Sequence, residues 1–376
     1  MNDAATLTVT AGTWTLNDDS DQTVDFDGQS LYNLTINNTG GGTSDDVVVA
    51  ADSQILLSGA LIVTLGNLDL TTNTETLVVD RGITLADAAQ ATLTTNSNIF
   101  ASGTILVNDA ATLTVTAGTL TLNDIGDQAV DLDGQAVFNL TVNNAGGGTD
   151  DDIVFAGGPL LVSGALVVTL GGLDMTTNSL TLITERGITL ADAAQATFTT
   201  NSNVTASGTI LVNDAATLTV TAGTWTLNDD SDQAVDLDGQ SLYNLTVNNT
   251  GGGTSDDVTI AGGTLSALND LTVTLGNLDL TTNSLALDVD NDVSIAAAAQ
   301  AALTVGAMNV GGDFTLNTGG VFTQSSGTAT FDGTSQTLSG AITFDTLVKD
   351  PSSDDTIHFS DAGLITVSNE ITMFGG

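Results

Sequence analysis

Residues 2–38 read NDAATLTVTAGTWTLNDDSDQTVDFDGQSLYNLTINN, and this stretch occurs three times in the chain. The second copy begins at Asn108 with modest changes, and the third begins at Asn213 with three changes in its 37 residues. The copies are therefore 106 and then 105 residues apart. A period of this length contains several structural units copied as one block. Such blocks are typical of scaffolds and adhesive stalks, whereas active sites rarely occur in three near-identical copies.

Apolar and polar residues alternate within each copy. In VDFDG, Val24 and Phe26 alternate with aspartates, and in TWTL, Trp14 and Leu16 alternate with threonines. This period of two predicts strands that have one buried face and one solvent face. It also predicts that Trp14 and Trp225, which hold the same place in two copies, are core residues. Glycines and Asn-Asp pairs interrupt the pattern at short intervals and predict turns.

Two all-β architectures fit this pattern, and we predict the parallel β-solenoid, or β-helix, of stacked short coils. The alternative is a row of tandem β-sandwich domains, because a sandwich of about 100 residues matches the period. Short strands, narrow corners and the echoes among TLTVT, LTINN, LIVTLGNLDL and TLVVD favour coils of about 20 residues, about five in each block. Coils stack about 4.8 Å apart, so roughly 18 of them predict a rod of about 85 Å.

The repeats divide the chain into blocks that we expect to form one continuous solenoid. The boundaries are 1–107, 108–212 and 213–310 for the three repeat blocks, and 311–376 for a diverged, partial fourth copy. The chain begins inside a repeat, which predicts an excised segment or a processed subunit. No polar cap is evident at Met1–Ala11, and the last residues, ITMFGG, are apolar and small. We therefore expect both ends to expose strand edges that accept further pairing.

Several segments resemble a known class of proteins. These are GGDFTLNTGGVFTQSSGTATFDGTSQTLSG (311–340) followed by FDTL (344–347), LYNLTINN (31–38) and SGALIVTLGNLDLTTN (58–73). They resemble repeat-rich bacterial surface proteins of the filamentous-haemagglutinin and large-adhesin type, and the resemblance covers essentially the whole chain. It implies a parallel β-helix in an extracellular stalk, adhesin or filament. It supplies no catalytic residues.

The net charge of −42 limits the partners of the chain. Only Arg81, Arg186 and Lys349 oppose 45 acidic residues, so nucleic acid and anionic lipid are poor partners. Cations are favoured, and salt would screen the self-repulsion, which suits a salty or calcium-containing exterior. No apolar run reaches the roughly 20 residues of a membrane helix, so no membrane insertion is predicted. The absence of cysteine excludes disulfides and thiolate ligands.

Aspartate clusters recur in each copy and are the candidate metal ligands. Calcium takes six to eight oxygen ligands, which aspartate-rich turns can supply. The alternative is that these residues form solvated turns, because aspartate favours turns without any metal and the spacing matches neither the EF-hand loop nor the glycine-rich nonapeptide of calcium β-rolls. The candidate calcium ligands are Asp18, Asp19, Asp21, Asp25, Asp27, Asp124, Asp127, Asp131, Asp133, Asp229, Asp230, Asp232, Asp236 and Asp238.

Three further sets of residues are candidate sites. His358 is the only histidine and is expected to be a surface or edge residue of the last unit. Outward threonine pairs of the kind that can order water on a flat face are formed by Thr6, Thr8, Thr10, Thr13 and Thr15. The sequons at Asn33, Asn139 and Asn244 are N-glycosylation acceptor patterns, and each asparagine is expected to be exposed.

The function predicted from these observations is structural. The chain is expected to form a stalk, adhesin or filament segment on a prokaryotic cell surface. Its expected partners are other copies stacked end to end, or flanking repeats of a larger parent, together with surface glycans. One alternative is a carbohydrate- or ice-binding solenoid module. Another is a polysaccharide-active β-helix enzyme, in which Asp25 and Asp27 would be the paired carboxylates; both are expected on the solvent face of a strand, which disfavours this alternative.

Overall fold

The structure is a computed structural model that describes residues 9–40, 46–50, 54–73, 75–146, 152–251, 257–298, 301–324, 326–350, 356–360 and 363–373. The chain is all-β and forms a parallel β-solenoid of about 15 turns, which confirms the predicted fold. It divides into two compact units, residues 1–185 with 190–198, and residues 186–189 with 199–376. Within the described residues no helix has the length and apolar character needed to cross a membrane.

The strands are short, and most have three to five residues. In the first half of the chain they are β1 (Thr13–Leu16), β2 (Gln22–Val24), β3 (Ser30–Leu31), β4 (Asn33–Asn37), β5 (Asp46–Val49), β6 (Ile55–Leu57), β7 (Leu61–Leu70), β8 (Leu77–Val79), β9 (Ile83–Leu85), β10 (Ala91–Thr95), β11 (Ile99–Ala101), β12 (Ile105–Val107), β13 (Thr112–Val115), β14 (Thr119–Leu122), β15 (Gln128–Asp131), β16 (Ala136–Val137), β17 (Asn139–Asn143), β18 (Asp152–Ala156), β19 (Leu160–Val162), β20 (Leu166–Leu170), β21 (Gly172–Asp174) and β22 (Leu182–Thr184).

The strands of the second half have the same character. They are β23 (Ile188–Leu190), β24 (Thr197–Thr200), β25 (Val204–Ala206), β26 (Ile210–Val212), β27 (Thr217–Val220), β28 (Thr224–Leu227), β29 (Gln233–Asp236), β30 (Asn244–Asn248), β31 (Asp257–Ala261), β32 (Leu265–Ala267), β33 (Leu271–Leu275), β34 (Asn277–Asp279), β35 (Leu287–Val289), β36 (Val293–Ile295), β37 (Ala302–Val305), β38 (Met308–Val310), β39 (Phe314–Leu316), β40 (Val321–Gln324), β41 (Thr328–Phe331), β42 (Ser335–Ser339), β43 (Thr343–Lys349), β44 (Thr356–Phe359) and β45 (Thr366–Met373).

In the first unit, each turn contributes strands to three parallel sheets. Sheet 1 has the order β1-β4-β7-β9-β12-β15-β18-β21, and sheet 2 has the order β3-β6-β8-β11-β14-β17-β20. Sheet 3 contains β2, β5, the second half of β7, β10 and β13. The ladder β16-β19-β22 follows it, with β16 packed beside β13. The ten-residue strand β7 therefore bends from sheet 1 into sheet 3.

The second unit has the same construction from its own strands. One ladder has the order β26-β29-β31-β34-β37-β40, and a second has the order β25-β28-β30-β33-β36-β39-β42-β44. The third runs β32-β35-β38-β41-β43-β45. Near its carboxyl end, a cluster of edge-to-face phenylalanine rings fills the interior, with ring centroids 5.0 to 6.4 Å apart among Phe314, Phe322, Phe331 and Phe344.

The turns vary in length, which explains why there are about 15 of them and not the roughly 18 expected from coils of about 20 residues. Thr13 pairs with Asn33, which is a short step along the chain, but Leu34 pairs with Leu61, which is a longer one. The next turn, from Leu61 to Ile83, is intermediate in length. The longest of these three turns is the one that begins at Leu34. Turns longer than the predicted coil reduce the number that the chain can form.

The alternation predicted from the sequence sets which side chains enter the core. On β4, Leu34 and Ile36 have no exposed surface, while Asn33 and Asn37 beside them are half-buried on the outer face. Each apolar residue stacks on the apolar residue of the neighbouring turn, as Leu34 does on Leu61. Burial of aliphatic side chains in such columns is the main favourable term for folding, at about 25 cal/mol per Å² of apolar surface.

The prediction that both tryptophans are core residues is half right. Trp225 on β28 is 1 % exposed, and Leu120, which holds the same place in the second copy, is 2 % exposed. Trp14 is 39 % exposed, so its assignment to the core is wrong. The reason is the position of β1, which in the described residues pairs with β4 on one side only. Residues 1–8 and 374–376, on which the prediction of uncapped ends also rests, lie outside the described residues.

Equivalent strands of the first two copies lie on different sheets. Thr13 on β1 pairs in sheet 1, whereas its equivalent in the second copy, Thr119 on β14, pairs in sheet 2. Four turns take the chain from Thr13 to the start of β12 at Ile105, still in sheet 1. The chain then crosses sheet 3 and reaches sheet 2 at Thr119. One block is therefore about four and two-thirds turns.

Candidate functional site

The predicted calcium ligands lie in two short turns in each copy. The first turn follows the TWTL or TLTL strand, and the second lies at the end of the strand that begins with glutamine, which is β2, β15 or β29. Because equivalent strands lie on different sheets, Asp18 and Asp124 lie at different corners of the first unit: Asp18 between sheets 1 and 3, and Asp124 between sheets 2 and 1. The first two copies therefore do not align their aspartates into one acidic ladder.

The second aspartate turn is held by its own backbone. Asp25 Oδ1 accepts a hydrogen bond from the Asp27 amide at 2.9 Å, and Asp131 Oδ1 accepts one from Asp133 at 3.0 Å. Asp236 and Asp238 repeat this contact at 3.0 Å. The last residue of each pair has a positive φ, 49° at Asp27 and 50° to 51° at its equivalents Asp133 and Asp238. Aspartate tolerates this conformation and bonds the backbone two residues on, which accounts for DxDG without a metal.

Aspartates of the first turn connect neighbouring coils. In the second copy, Asp124 Oδ1 accepts from the Ile125 amide at 2.8 Å, and its Oδ2 accepts from the Gly103 amide of the preceding coil at 2.8 Å. Asp127 Oδ1 accepts from the Asp152 amide of the following coil at 3.3 Å. The third copy repeats both inter-coil bonds through Asp229 and Asp232. These carboxylates satisfy backbone donors that would otherwise need water.

The described residues contain no group of three or more Asp, Glu or His side chains placed to hold a metal ion. At least one carboxylate oxygen of Asp18, Asp21, Asp124 and Asp127 is engaged by a backbone amide. A calcium ion would have to share these oxygens with the amides that they accept from. The arrangement therefore gives the aspartates a structural role in the turns, and calcium binding stays a prediction.

Two partly buried carboxylates, which the sequence did not single out, have a pKa that hydrogen bonds lower. Asp174 Oδ1 accepts from the Thr176 amide and hydroxyl, each at 2.7 Å, and its Oδ2 accepts from the Thr177 hydroxyl at 3.0 Å. Burial acts to raise the pKa of Asp174, but these hydrogen bonds outweigh it and hold the pKa below its ordinary value. Asp279 has a lowered pKa for the same reasons, with Thr281 and Thr282 as donors.

A glutamine in the first two residues of a strand forms a clamp on the preceding coil. Gln128 Nε2 donates to Ala101 O at 3.0 Å and to Gly103 O at 2.7 Å. Gln233 makes the same pair of bonds to its own preceding coil, and so does Gln336. We call this arrangement of Gln128, Gln233 and Gln336 the glutamine clamp. Sequence reasoning missed it, although the signal is present: in QAV, glutamine holds the same alternation phase as the buried valine.

The strong cations are placed differently from one another. Arg81 is exposed, and its guanidinium carbon lies 5.8 Å from the centroid of the Tyr32 ring, which is a cation–π contact. Lys349 is 3 % exposed, and its Nζ donates to Phe331 O at 3.1 Å, to Gln336 Oε1 at 3.1 Å and to Gly333 O. A lysine is almost never buried without such partners. Lys349 thus belongs to the glutamine clamp of the last copy.

His358 is exposed on β44, as predicted for a surface or edge residue, and its Nε2 lies 3.3 Å from the Thr356 hydroxyl. The rank of outward threonines is interrupted. Thr15 stacks on Thr35, but Ile62 occupies the same place on the next turn. The earlier threonines Thr6 and Thr8 lie outside the described residues. An ordered threonine face is therefore limited to two turns at this position.

The three sequon asparagines are not exposed, so that expectation is wrong. Each is half-buried on the outer face. Asn139 Nδ2 donates to Gly118 O at 3.1 Å, and its Oδ1 accepts from the Ala165 amide at 3.0 Å. Asn244 Nδ2 donates to Gly223 O at 3.0 Å. The nitrogen that would carry a glycan is thus engaged by the neighbouring coil, because stacked turns bring a backbone carbonyl within its reach.

Comparison of the chain with models of known protein families, with curated proteins and with solved structures gave no significant match.

Proposed function

We propose that the chain is a structural segment of an extracellular stalk, adhesin or filament on a prokaryotic cell surface. The observation that carries this proposal is the way each turn is fastened to the next. Main-chain ladders join the strands, and outward side chains add hydrogen bonds between neighbouring coils within each unit. Such a construction resists separation of the turns, which is what a stalk or filament requires.

The sequon asparagines illustrate this fastening. Asn139 lies on one turn, donates to Gly118 on the preceding turn and accepts from Ala165 on the following turn. Asn244 repeats the arrangement with Gly223 and Asp270. In the first copy, Asn33 bonds the Thr13 hydroxyl at 3.4 Å and the Ala60 amide at 2.8 Å. One side chain thus connects three turns, and the connection recurs in every copy.

The terminal described strands support association between copies of this chain. Within the described residues, β45 pairs with β43 alone and β44 with β42 alone. These strands present apolar side chains to solvent: Phe359 is 49 % exposed, Ile371 56 % and Met373 48 %. In the first unit, β1 presents Trp14, which is 39 % exposed. Strand edges with exposed apolar residues favour pairing with a further coil. We propose another copy as the partner, with flanking repeats of a longer parent as the alternative.

The charge of the chain is consistent with this setting. A net charge of −42 produces repulsion between copies that salt screens within about 8 Å at physiological ionic strength. Association is therefore expected to strengthen as salt rises. The same proposal includes extracellular localisation, surface glycans as ligands and calcium as a stabilising ion. Each of these three needs its own experiment.

Negative-stain electron microscopy across a range of concentrations tests the proposal. Fibres that lengthen with concentration and salt are expected for the wild-type chain. Ile371→Lys on β45 should abolish them, because it places a charge on the apolar edge. The matched control is Ile125→Lys, since Ile125 is 80 % exposed in a turn of the first unit and carries the same change of charge. Separate particles at every concentration would overturn self-assembly and leave flanking repeats as the partner.

A further inference from the structure

The glutamine clamp leaves an oxygen atom whose position is the same in successive copies. Gln128 is 1 % exposed, and both of its amide hydrogens are directed to carbonyls of the preceding coil. Its Oε1 is buried and accepts no hydrogen bond from the described residues. Gln233 Oε1 is in the same state in the third copy. Buried polar atoms almost always have a partner, so a repeated exception calls for a ligand.

A second buried oxygen lies close by in the chain. Asn144 has no exposed surface, and its Nδ2 donates at 2.6 Å to the carbonyl oxygen of Gly126, which stands shortly before Gln128. Asn144 Oδ1 is also buried and accepts no hydrogen bond within the described structure. The turn between Leu122 and Gln128 is thus bordered by two amide oxygens without donors. The carboxylates of Asp124 and Asp127 belong to the same turn, so the local potential is negative.

The last copy shows what satisfies the glutamine oxygen. Gln336 makes the same clamp, but its Oε1 accepts a hydrogen bond from Lys349 Nζ at 3.1 Å. The ammonium also bonds the backbone oxygens of Phe331 and Gly333. An ammonium group surrounded by amide and carbonyl oxygens has the coordination of a monovalent cation. In this copy the cation is the ammonium group of a lysine of the chain itself.

The strand register identifies the residue that replaces Lys349 elsewhere. Lys349 pairs with Phe331, and in the second copy Val142 pairs with Leu122, the residue equivalent to Phe331. Val247 holds this place in the third copy. Both valines are buried, and their side chains have no group that could donate a hydrogen bond to the glutamine oxygen. In the two copies with a valine, the glutamine oxygen has no donor among the described residues. In the copy with the lysine, the ammonium is the donor.

We propose that a dehydrated monovalent cation of potassium or ammonium size binds at the glutamine clamps of Gln128 and Gln233, in the place that the Lys349 ammonium takes at Gln336. The Lys349 ammonium carries a single charge and is held by neutral amide and carbonyl oxygens at Gln336, which favours a monovalent ion in the equivalent place. Neutral amide oxygens also suit a single charge better than carboxylates would. A net charge of −42 concentrates monovalent cations around the chain.

Thallium(I), whose size is close to that of potassium and whose anomalous scattering is strong, locates the ion. Crystals of the full chain soaked in thallium(I) acetate are expected to show anomalous peaks next to Gln128 Oε1 and Gln233 Oε1, and none at Gln336. Density at these two positions without an anomalous signal would identify water and overturn the proposal. The thermal unfolding temperature should also be higher in potassium chloride than in tetramethylammonium chloride at equal ionic strength.

Two reciprocal variants separate a specific site from general binding of cations. Val142→Lys supplies an ammonium to the second copy, so the thallium peak at Gln128 should be lost while the peak at Gln233 remains. Lys349→Met removes the ammonium from the last copy, so a new peak should appear at Gln336. The second variant keeps the test valid if the first does not fold. Peaks that are unchanged in both variants would overturn the equivalence of ion and lysine.

Discussion

Thr13 and Thr119 hold the same position in two copies of the repeat, yet they lie on different sheets of the first unit. Thr13 pairs with Asn33 in sheet 1, and Thr119 pairs with Asn139 in sheet 2. The cause is the length of the block, which contains about four and two-thirds turns. Side chains that recur once in each of these two blocks are therefore turned to another side of the solenoid. The residues that stack on one side of the solenoid are therefore those one turn apart in the chain, not those one block apart.

The inter-coil asparagine should contribute measurably to stability. Asn139→Ala removes the donor to Gly118 O and the acceptor for the Ala165 amide. We expect a loss of about 1 to 3 kcal/mol in the free energy of unfolding, because the Ala165 amide loses its acceptor, while Gly118 O keeps only the Asn139 backbone amide as a donor. Denaturant unfolding measures this loss. The control is Thr141→Ala on the same strand, for which a change below about 1 kcal/mol is expected. Equal losses in the two variants would contradict the fastening role.

The lowered pKa of Asp174 should depend on its threonine donors. Because the pKa is lower in the folded chain than its ordinary value of 3.8, the ionised carboxylate stabilises the fold above that pH. This contribution is lost as the pH falls through the folded-state pKa. Thr176→Val removes the hydroxyl donor at 2.7 Å, so the pKa of Asp174 should rise. NMR titration of the carboxyl carbons measures the rise.

Asp279 is the internal control for this titration. It has the same arrangement with Thr281 and Thr282 in the second unit, so its lowered pKa should be unchanged by Thr176→Val. An unchanged pKa of Asp174 in the variant would show that the Thr177 hydroxyl and the backbone amides of Thr176 and Thr177 are enough to hold it. A parallel shift of both aspartates would point to a general loss of structure instead.

The sequence predicted the fold because the alternation carries the needed information. Leu34 and Ile36 enter the core, as their phase in LTINN predicts. The side of the solenoid on which a strand lies could not be predicted, since it depends on the summed lengths of all preceding turns. These lengths vary with the loops, as the short turn that begins at Thr13 and the long turn that begins at Leu34 show. One extra residue in a loop changes the phase without changing the strand pattern.

The candidate site was predicted less well, for a related reason. Composition indicates the aspartates as calcium ligands, but their carboxylates accept hydrogen bonds from backbone amides such as those of Asp27 and Gly103. Those partners come from local turn geometry and from the neighbouring coil, which the sequence alone does not place. The role of Gln128 is not evident from the sequence, because a polar residue at an alternation position that is otherwise apolar looks like a break in the strand pattern. Its role becomes evident only when the preceding coil supplies two carbonyls.

Two glycines at the same repeat position should respond differently to alanine. Gly12 and Gly118 have φ values of 91° and 80°, which strain any side chain. A Cβ on Gly12 would have no atom within 4 Å, whereas one on Gly118 would lie 2.3 Å from Ser97 O. Gly12→Ala should therefore cost only the backbone strain, about 1 to 3 kcal/mol.

Gly118→Ala should cost more than Gly12→Ala, because Ser97 O must also move away and its contact belongs to the stacked coil. Denaturant unfolding of the two variants gives the difference directly. The comparison isolates the steric term, since the sequence around both glycines is nearly the same. A larger loss for Gly12→Ala would contradict the close approach of the two coils at Gly118.

The two tryptophans provide a spectroscopic test of their different burial. Trp14 is 39 % exposed and Trp225 is 1 % exposed, although both stand in the same TWTL motif. Single-tryptophan chains made by Trp14→Phe and Trp225→Phe report each residue separately. The chain that retains Trp225 should emit at shorter wavelength and resist quenching by acrylamide, because solvent does not reach the indole. The chain that retains Trp14 should emit at longer wavelength and be quenched readily. If the proposed fibres form, a further coil would cover Trp14, so its quenching should fall as the concentration rises, while that of Trp225 stays constant.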